Sequence, residues 1–400
     1  MNGTADGRGN ASQASLREVN LALIATTAFA APEPRSRAEL AQRTALSRAT
    51  VSRLVDELVR GEVLAEQERS TAGARGRPAV PLVPSPARFV ALGLQVNTSR
   101  LTARVVDLTG ATVAQHSQAG DLVGSDPAEV LGELGSIASR LMARLPRHQR
   151  LAGAGLALPG IVSTPSGRLL RAPNLGWAEV DAAEHLRTAL GPVRLQVGNE
   201  ADLAALSVAR ARPGVPGANR DFIYVSGEIG IGGAAVRDGA VLRGSHGWAG
   251  EIGHVCVDPN GPACRCGANG CLESFAGRRV LLAGAGLPPD GSPHDVLARA
   301  GAGDPGTLAA LERAADALGT AVSSAVHLLD LPAVVLGGDL AVIGPLIRDR
   351  VEGVLARRVI SNPWAAVDIV IGSGDPSDAA TGAALAELER VVANPAAYLS

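Results

Sequence analysis

Residues 251–273 read EIGHVCVDPNGPACRCGANGCLE. The stretch holds all four cysteines of the chain, Cys256, Cys264, Cys266 and Cys271, with His254 just ahead of them and Glu251 and Glu273 at its margins. Zinc takes four soft or borderline ligands in a tetrahedron, and one imidazole with the thiolates of Cys264, Cys266 and Cys271 completes such a set. Gly267 and Gly270 let the loop between them bend tightly. Buried free thiols or two disulfides are the competing readings. Cys256 competes with His254 for the fourth place, because alternate residues of a strand face the same way. The expected cofactor is a structural Zn2+.

Outward from this stretch, 400 residues with 46% apolar and 19% charged side chains are enough for two or three domains with real cores. Aromatic residues make up 2%, so Ala, Val and Leu must build those cores. No apolar run reaches the length of a membrane span and the N-terminus lacks an export-type apolar core, so the expected location is cytoplasmic, with no membrane partner. Every cationic side chain is an arginine. The charge is uneven: residues 1–88 carry 12 Arg against 9 acids, while the chain as a whole has a net charge of −2. The N-terminal segment is the basic one.

Residues 1–12, rich in Gly, Asn, Ser and Ala, read as a disordered tail. Leu16, Val19, Leu23 and Ile24 then set a helix that Pro32 and Pro34 end. Ser36 and Glu39 form a capping box for a short second helix. Ser47 caps a third, in which Val51, Leu54, Val55 and Leu58 make one apolar stripe and Arg48, Thr50, Ser52 and Arg53 lie largely off it. This is a helix-turn-helix pattern, and those four residue types at the start of a recognition helix suit base edges and phosphates in a major groove. Two short strands around residues 63–84 add a wing, whose tip carries Arg75-Gly76-Arg77-Pro78. Extended arginines of that kind fit the narrow minor groove of A·T-rich DNA, making Arg75 and Arg77 further DNA contacts. A protein-contact module with a charged loop is the bland alternative.

Pro81, Pro84 and Pro86 read as a stiff linker, which places the winged helix-turn-helix domain at 13–86 and a second domain at 87–400. Strand, turn, strand recurs at 88–110 and 221–244, so the second domain reads as a duplicated α/β fold of two lobes, about 87–198 and 199–385, with the last helix returning to the first lobe. Helices are expected near 127–145, 181–190, 201–211, 305–330 and 378–392, and strands at 333–341 and 367–373.

Taken together, the winged helix ending in Gly-Arg-Pro, Leu158-Pro159-Gly160, Pro173-Asn174-Leu175, Glu251-Ile252-Gly253-His254 and Cys264-x-Cys266-Gly267-x-x-Gly270-Cys271-x-Glu273 resemble the ROK family (repressor, open reading frame, kinase). The likeness runs from about residue 14 to 390. It implies an actin-like, hexokinase-like fold of two lobes, a sugar in the cleft between them, a zinc held by one His and three Cys, and one of two activities: sugar kinase or sugar-responsive transcription regulator.

The residues decide between those activities. Where the family's kinases have an Asp-x-Gly-Gly-Thr turn for the nucleotide phosphates, this chain has Gln95-Val96-Asn97-Thr98-Ser99. Where they have a catalytic Asn-Asp pair, it has Asn199-Glu200. A reacting oxygen displaced by about 1 Å costs roughly a hundredfold in rate, and Glu228 would repel phosphates at the partly kept turn Glu228-Ile229-Gly230-Ile231-Gly232-Gly233. Gly337-Gly338, the adenosine position in kinases, remain. The chain is therefore read as no enzyme but a repressor of carbohydrate genes, with a kinase carrying an accessory DNA-binding domain as the alternative. Asn199, Glu200, Glu251, His254 and Glu273 are the expected sugar contacts, with Gly167 and Asn174 nearby. The expected partners are an A·T-rich double-stranded operator, a sugar or sugar phosphate effector, and further copies of the chain in a homodimer or homotetramer.

Overall fold

The computed structural model describes residues 6–67, 80–163 and 166–399, with side chains from residue 15 onward. Three helices open the chain: α1 (Asp6–Phe29), α2 (Arg37–Thr44) and α3 (Arg48–Arg60). The Ser36–Glu39 capping box is present at α2, and Ser47 accepts from the Thr50 amide at the start of α3. Val51, Leu54, Val55 and Leu58 are the buried face of α3, as their spacing predicts. Strands β1 (Leu64–Glu66) and β2 (Leu82–Pro84) pair antiparallel, with Leu64 opposite Pro84.

Two expectations change here. Residues 6–12 are helical rather than a tail, because a helix nucleated by the apolar spacing downstream extends at the cost of only one residue's freedom per added bond. Pro84 belongs to β2 rather than to a free linker, at the strand's end, where proline's missing N–H is tolerated. The wing tip, with Arg75 and Arg77, lies outside the described residues, as do residues 1–5.

Lobe one follows. Its elements are β3 (Phe89–Val96), β4 (Arg100–Asp107), β5 (Thr112–Ala119), α4 (Pro127–Met142), β6 (Arg150–Leu158), the small antiparallel set β7 (Ile161–Val162), β8 (Leu169–Ala172) and β9 (Trp177–Val180), then α5 (Ala182–Leu190), β10 (Leu195–Asn199) and α6 (Glu200–Ala209). β3 is buried along its whole length, which suits an apolar run covered on both faces. Lobe two comprises the short pair β11 (Arg210–Arg212) and β12 (Val215–Pro216), then β13 (Phe222–Gly227), β14 (Ile231–Arg237), β15 (Ala240–Val241), α7 (Glu273–Ala276), α8 (Arg278–Gly284), α9 (Pro293–Gly301), α10 (Pro305–Leu329), β16 (Ala333–Gly337), α11 (Gly338–Arg358) and β17 (Asp368–Ile371). Residues 339–341, expected to continue a strand, start α11 instead. Gly338 at φ +52° turns the chain there, and Asp339 sits in the first turn, where helix N–H groups favour a carboxylate.

The repeat read from sequence is a repeat of topology. Sheet order is β10-β6-β3-β4-β5 in lobe one and β17-β16-β13-β14-β15 in lobe two. In each, a central antiparallel hairpin is extended on one side by two parallel strands. The last helix, α12 (Asp378–Ala393), seats on β3 and β6 of lobe one and crosses α6. Glycines permit both approaches: a methyl at Gly382 would stand 1.7 Å from the Leu203 carbonyl oxygen, and one at Gly155 2.6 Å from that of Ala383. The far end of α12 continues into the N-terminal domain, where Leu388, Val391 and Val392 share one buried core with Leu21, Ile24, Leu54 and Leu58.

Candidate functional site

A cavity of about 320 Å³ opens between the lobes. Its walls are the carboxyl ends of strands, where open α/β sheets place their ligands: Gln95 and Asn97 at the end of β3, Asn199 and Glu200 at the junction of β10 and α6, Ser226 and Glu228 at the end of β13. Glu251, His254 and Glu273 line the same cavity, so all five expected sugar contacts meet there, together with Asn174. Gly167 does not; it faces Val197.

The five are unequally available. Asn199 is the N-cap of α6: its Oδ1 accepts from the amides of Ala201 and Asp202 at 2.7 and 3.2 Å, and its Nδ2 donates to the Gly160 carbonyl at 2.9 Å. One amide hydrogen is left for a ligand. Glu200 Oε1 accepts from Gln95 Nε2 at 2.8 Å, and burial pushes this carboxyl up to about 7. Glu273 Oε2 accepts from the Ile231 amide at 3.1 Å, which ties α7 to β14 and aims the remaining oxygen. Glu251 and His254 are the two most open, Glu251 just before and His254 at the end of a 3-10 turn over Ile252–His254, with Glu251 Oε2 3.9 Å from His254 Nε2. Burial raises the Glu251 carboxyl above its ordinary range, and the His254 ring opposes that rise.

Behind His254 is the cysteine loop. Ligand atoms of His254, Cys264, Cys266 and Cys271 all lie within 4.8 Å of one another. Cys266 and Cys271 sulfurs are 3.7 Å apart, and Cys264 Sγ is 3.8 Å from His254 Nδ1. A tetrahedral site with Zn–S bonds of about 2.3 Å has edges of roughly 3.8 Å, which these two pairs match, so the donor set suits a metal ion. Cys256 is exposed and bridges backbone to backbone with Cys271, outside this set. The imidazole thus turns Nδ1 to the sulfurs and Nε2 to the cleft.

At the position expected for a phosphate turn, Asn97 folds back on itself. Its Oδ1 accepts from the Ser99 amide at 3.0 Å, and its Nδ2 crosses to lobe two and donates to Glu228 Oε1 at 2.8 Å. Glu228 is held well above the carboxylate range, by burial first and then by the charges of Glu200 and Asp339. Arg278, whose charge opposes that rise, is engaged with Asp339 at 2.5 and 2.9 Å. Sequence reasoning passed over Tyr224, Ser226, Asp375 and Asp378 as lining residues, because they come from the ends of distant elements that only the fold brings together.

On the N-terminal domain, Arg48 and Arg53 are exposed at the start of α3, but Arg53 donates to Glu57 at 3.3 Å. Thr50 Oγ1 lies 2.9 Å from the cap hydroxyl of Ser47, and Ser52 Oγ accepts from Arg37 at 3.2 Å. Of the four expected contacts in the described part of this domain, Arg48 alone has no ion pair or side-chain hydrogen bond among the described residues.

Comparison with known proteins agrees with this architecture. The chain is 26% identical over 339 residues to the xylose repressor of Caldicellulosiruptor bescii, covering 81% of this chain and 84% of that one. The crystal structure of a ROK family transcriptional regulator, a homologue of the E. coli Mlc protein, superposes with a TM-score of 0.75 at 22% identity, covering 96% of this chain and 99% of that one. A ROK family glucokinase from Streptomyces griseus, solved with glucose and AMPPNP, gives a TM-score of 0.61 at 23% identity and covers 74% of this chain and 98% of that one. The kinase fold is thus matched almost whole, leaving about a quarter of this chain beyond it. Residues 91–389 match the ROK family profile, and the chain belongs to the ROK family.

Proposed function

We propose that the chain is a sugar-responsive DNA-binding transcriptional regulator, a repressor of carbohydrate genes. The observation that carries the reading is the Asn97–Glu228 hydrogen bond, which fills the phosphate end of the cleft with a buried acid in a chain that also bears a helix-turn-helix. Phosphoryl transfer is favoured by positive charge at that end, where this chain instead sets Glu228. The kinase with an accessory DNA-binding domain is accordingly the weaker reading.

In the favoured reading the sugar sits against Glu251, His254 and Glu273, with Glu200 and the free amide hydrogen of Asn199 at its other side. A Zn2+ bound by His254, Cys264, Cys266 and Cys271 would be structural, holding the loop closed and the His254 ring in one orientation. Arg48 leads α3 into the major groove of an A·T-rich operator, Thr50, Ser52 and Arg53 support it, and Arg75 and Arg77 reach the minor groove. Two-part operators call for a dimer or tetramer. Support for regulation also comes from the named repressor relative, whose match spans 81% of the chain. The sugar acts by its difference in affinity for two lobe arrangements, so one that binds both equally does not induce. An operator gel shift with a panel of neutral, amino and phosphorylated sugars tests the reading. Release of DNA by one of them is expected; binding that no sugar alters would overturn it.

A further inference from the structure

Carboxylates line the cavity at both ends, Glu251 and Glu273 beside His254 and Glu200, Glu228 and Asp378 farther in, but arginines stand at only one of them among the described residues. Among the described residues its only arginines are Arg171 and Arg265, which belong to the segments that carry Asn174 and Cys266, at the His254 end. The inner end, where β3, β13 and α12 converge, is lined by Glu200, Glu228 and Asp378. None of these three carboxylates makes an ion pair among the described residues. Glu200 is held by the Gln95 amide and Asp378 by the Ser373 hydroxyl at 2.6 Å. Of the arginines close by, Arg104 is paired with Asp375 at 2.8 Å and Arg278 with Asp339, while Arg100 donates to the Ser117 hydroxyl at 3.1 Å.

Glu228 supplies an independent sign. Its Oε1 accepts from Asn97, while its Oε2 is buried with no partner among the described residues. Either protonation state leaves that oxygen incomplete: ionised it is an acceptor without a donor, and protonated it is a hydroxyl without an acceptor. A buried polar atom in that condition is destabilising, and a group that pairs with it recovers the loss. A primary ammonium brings three donors and a full positive charge. A phosphate brings the same sign as the wall. A divalent ion draws about six or more oxygens to roughly 2.0–2.6 Å, whereas an ammonium is served by three acceptors at about 2.8 Å.

We propose that the inner end of the cleft is a cation subsite and that the effector is a sugar bearing a protonated primary amine, seated between Glu200, Glu228 and Asp378. The proposal rests on the reading of the cleft as a sugar site and narrows it to one class. The amine end fixes which way the sugar lies, with its hydroxyls toward Glu251, His254 and Glu273. Closing on the amine draws Glu228 of lobe two toward Glu200 and Asp378 at the lobe-one face, so the same contact that recognises the ligand favours the closed arrangement.

Calorimetric titration of the full-length, zinc-loaded protein compares glucose, 6-amino-6-deoxyglucose and glucose 6-phosphate. The amino sugar is expected to bind at least tenfold more tightly than glucose, and Glu228→Gln, which keeps the acceptor for Asn97, is expected to remove that difference. Equal affinity for glucose and the amino sugar, or tighter binding of the phosphate, overturns the proposal. Cyclohexylammonium and cyclohexanol, compared by thermal shift, probe the subsite without a sugar. Stabilisation by the amine alone, lost in Glu228→Gln, upholds the cation site even where no sugar binds, and in that case it is the sugar reading that fails. No response to any of the five compounds overturns both. A rise in melting temperature with Mg2+ alone that Glu228→Gln abolishes overturns the amine in favour of a metal. If circular dichroism shows Glu228→Gln unfolded, Asp378→Asn carries the same comparisons.

Discussion

Asn97 of lobe one donates to Glu228 of lobe two at 2.8 Å, and this one hydrogen bond spans the floor of the cleft. Replacing Asn97 by Ala leaves both Glu228 oxygens buried without a protein partner. The expected loss is about 1–3 kcal/mol of unfolding free energy, measured by urea denaturation. An unchanged midpoint would mean that water replaces the amide at no cost and that the bond does not hold the lobes.

No ATP-dependent phosphorylation is expected from the purified protein across a broad hexose and amino-sugar panel. Glu200→Asp shortens the side chain to the length of the usual base, and it is not expected to create activity, because Glu228 still occupies the phosphate end. Radiolabel transferred to any sugar by the natural sequence would restore the kinase reading.

Cys264→Ser is expected to lose bound metal and the response to effector together, since the ring that faces the cleft through Nε2 is oriented through Nδ1. Metal content by mass spectrometry and effector release in a gel shift are the two readings. A variant without metal that still lets go of DNA on sugar binding would confine the zinc to a fold-holding part.

Arg48→Ala should weaken specific operator binding by roughly 1–3 kcal/mol, the usual value of a good base contact. Ser52→Ala should change it far less, because that hydroxyl is turned to Arg37. Arg48 and Arg53 variants that both bind like the natural sequence would remove α3 from recognition.

Asp202, buried at the start of α6, is pushed up to about 7 by that burial, against the pull of Arg243. In the unfolded chain the same group ionises near the ordinary aspartate value of about 4. Its folded form is thus favoured in full below about pH 4, and that contribution is lost as pH rises through about 7, at most about 4 kcal/mol in all. Asp202→Asn removes the titration, so its melting temperature should gain on that of the natural sequence between pH 4 and 7. Parallel profiles would show that Asp202 stays ionised when folded.

Elements and site were legible to different depths. Capping residues and apolar spacing are local signals, so α2, α3 and the stripe Val51–Leu54–Val55–Leu58 could be read directly. The cysteine loop was legible for the same reason: its four ligands fall within 18 residues of sequence, from His254 to Cys271. Asp378 and Tyr224 were not, because their place in the cleft depends on how two sheets and α12 meet. Nor could sequence tell that Ser52 would be claimed by Arg37, since both roles suit a hydroxyl on an exposed helix turn.

The shared core beneath the N-terminal helices bears on how such proteins are recombined. Leu388, Val391 and Val392 are buried with Leu21, Ile24, Leu54 and Leu58, and the Tyr398 ring meets Phe89 edge-on at 5.9 Å. A chimera that swaps DNA specificity by exchanging only residues 1–86 would set a foreign helix surface against the native C-terminal helix. The transplantable unit is two pieces of chain, the first 86 residues together with the segment from about residue 384 onward, and a biosensor built from both should keep the buried seam that a single cut destroys.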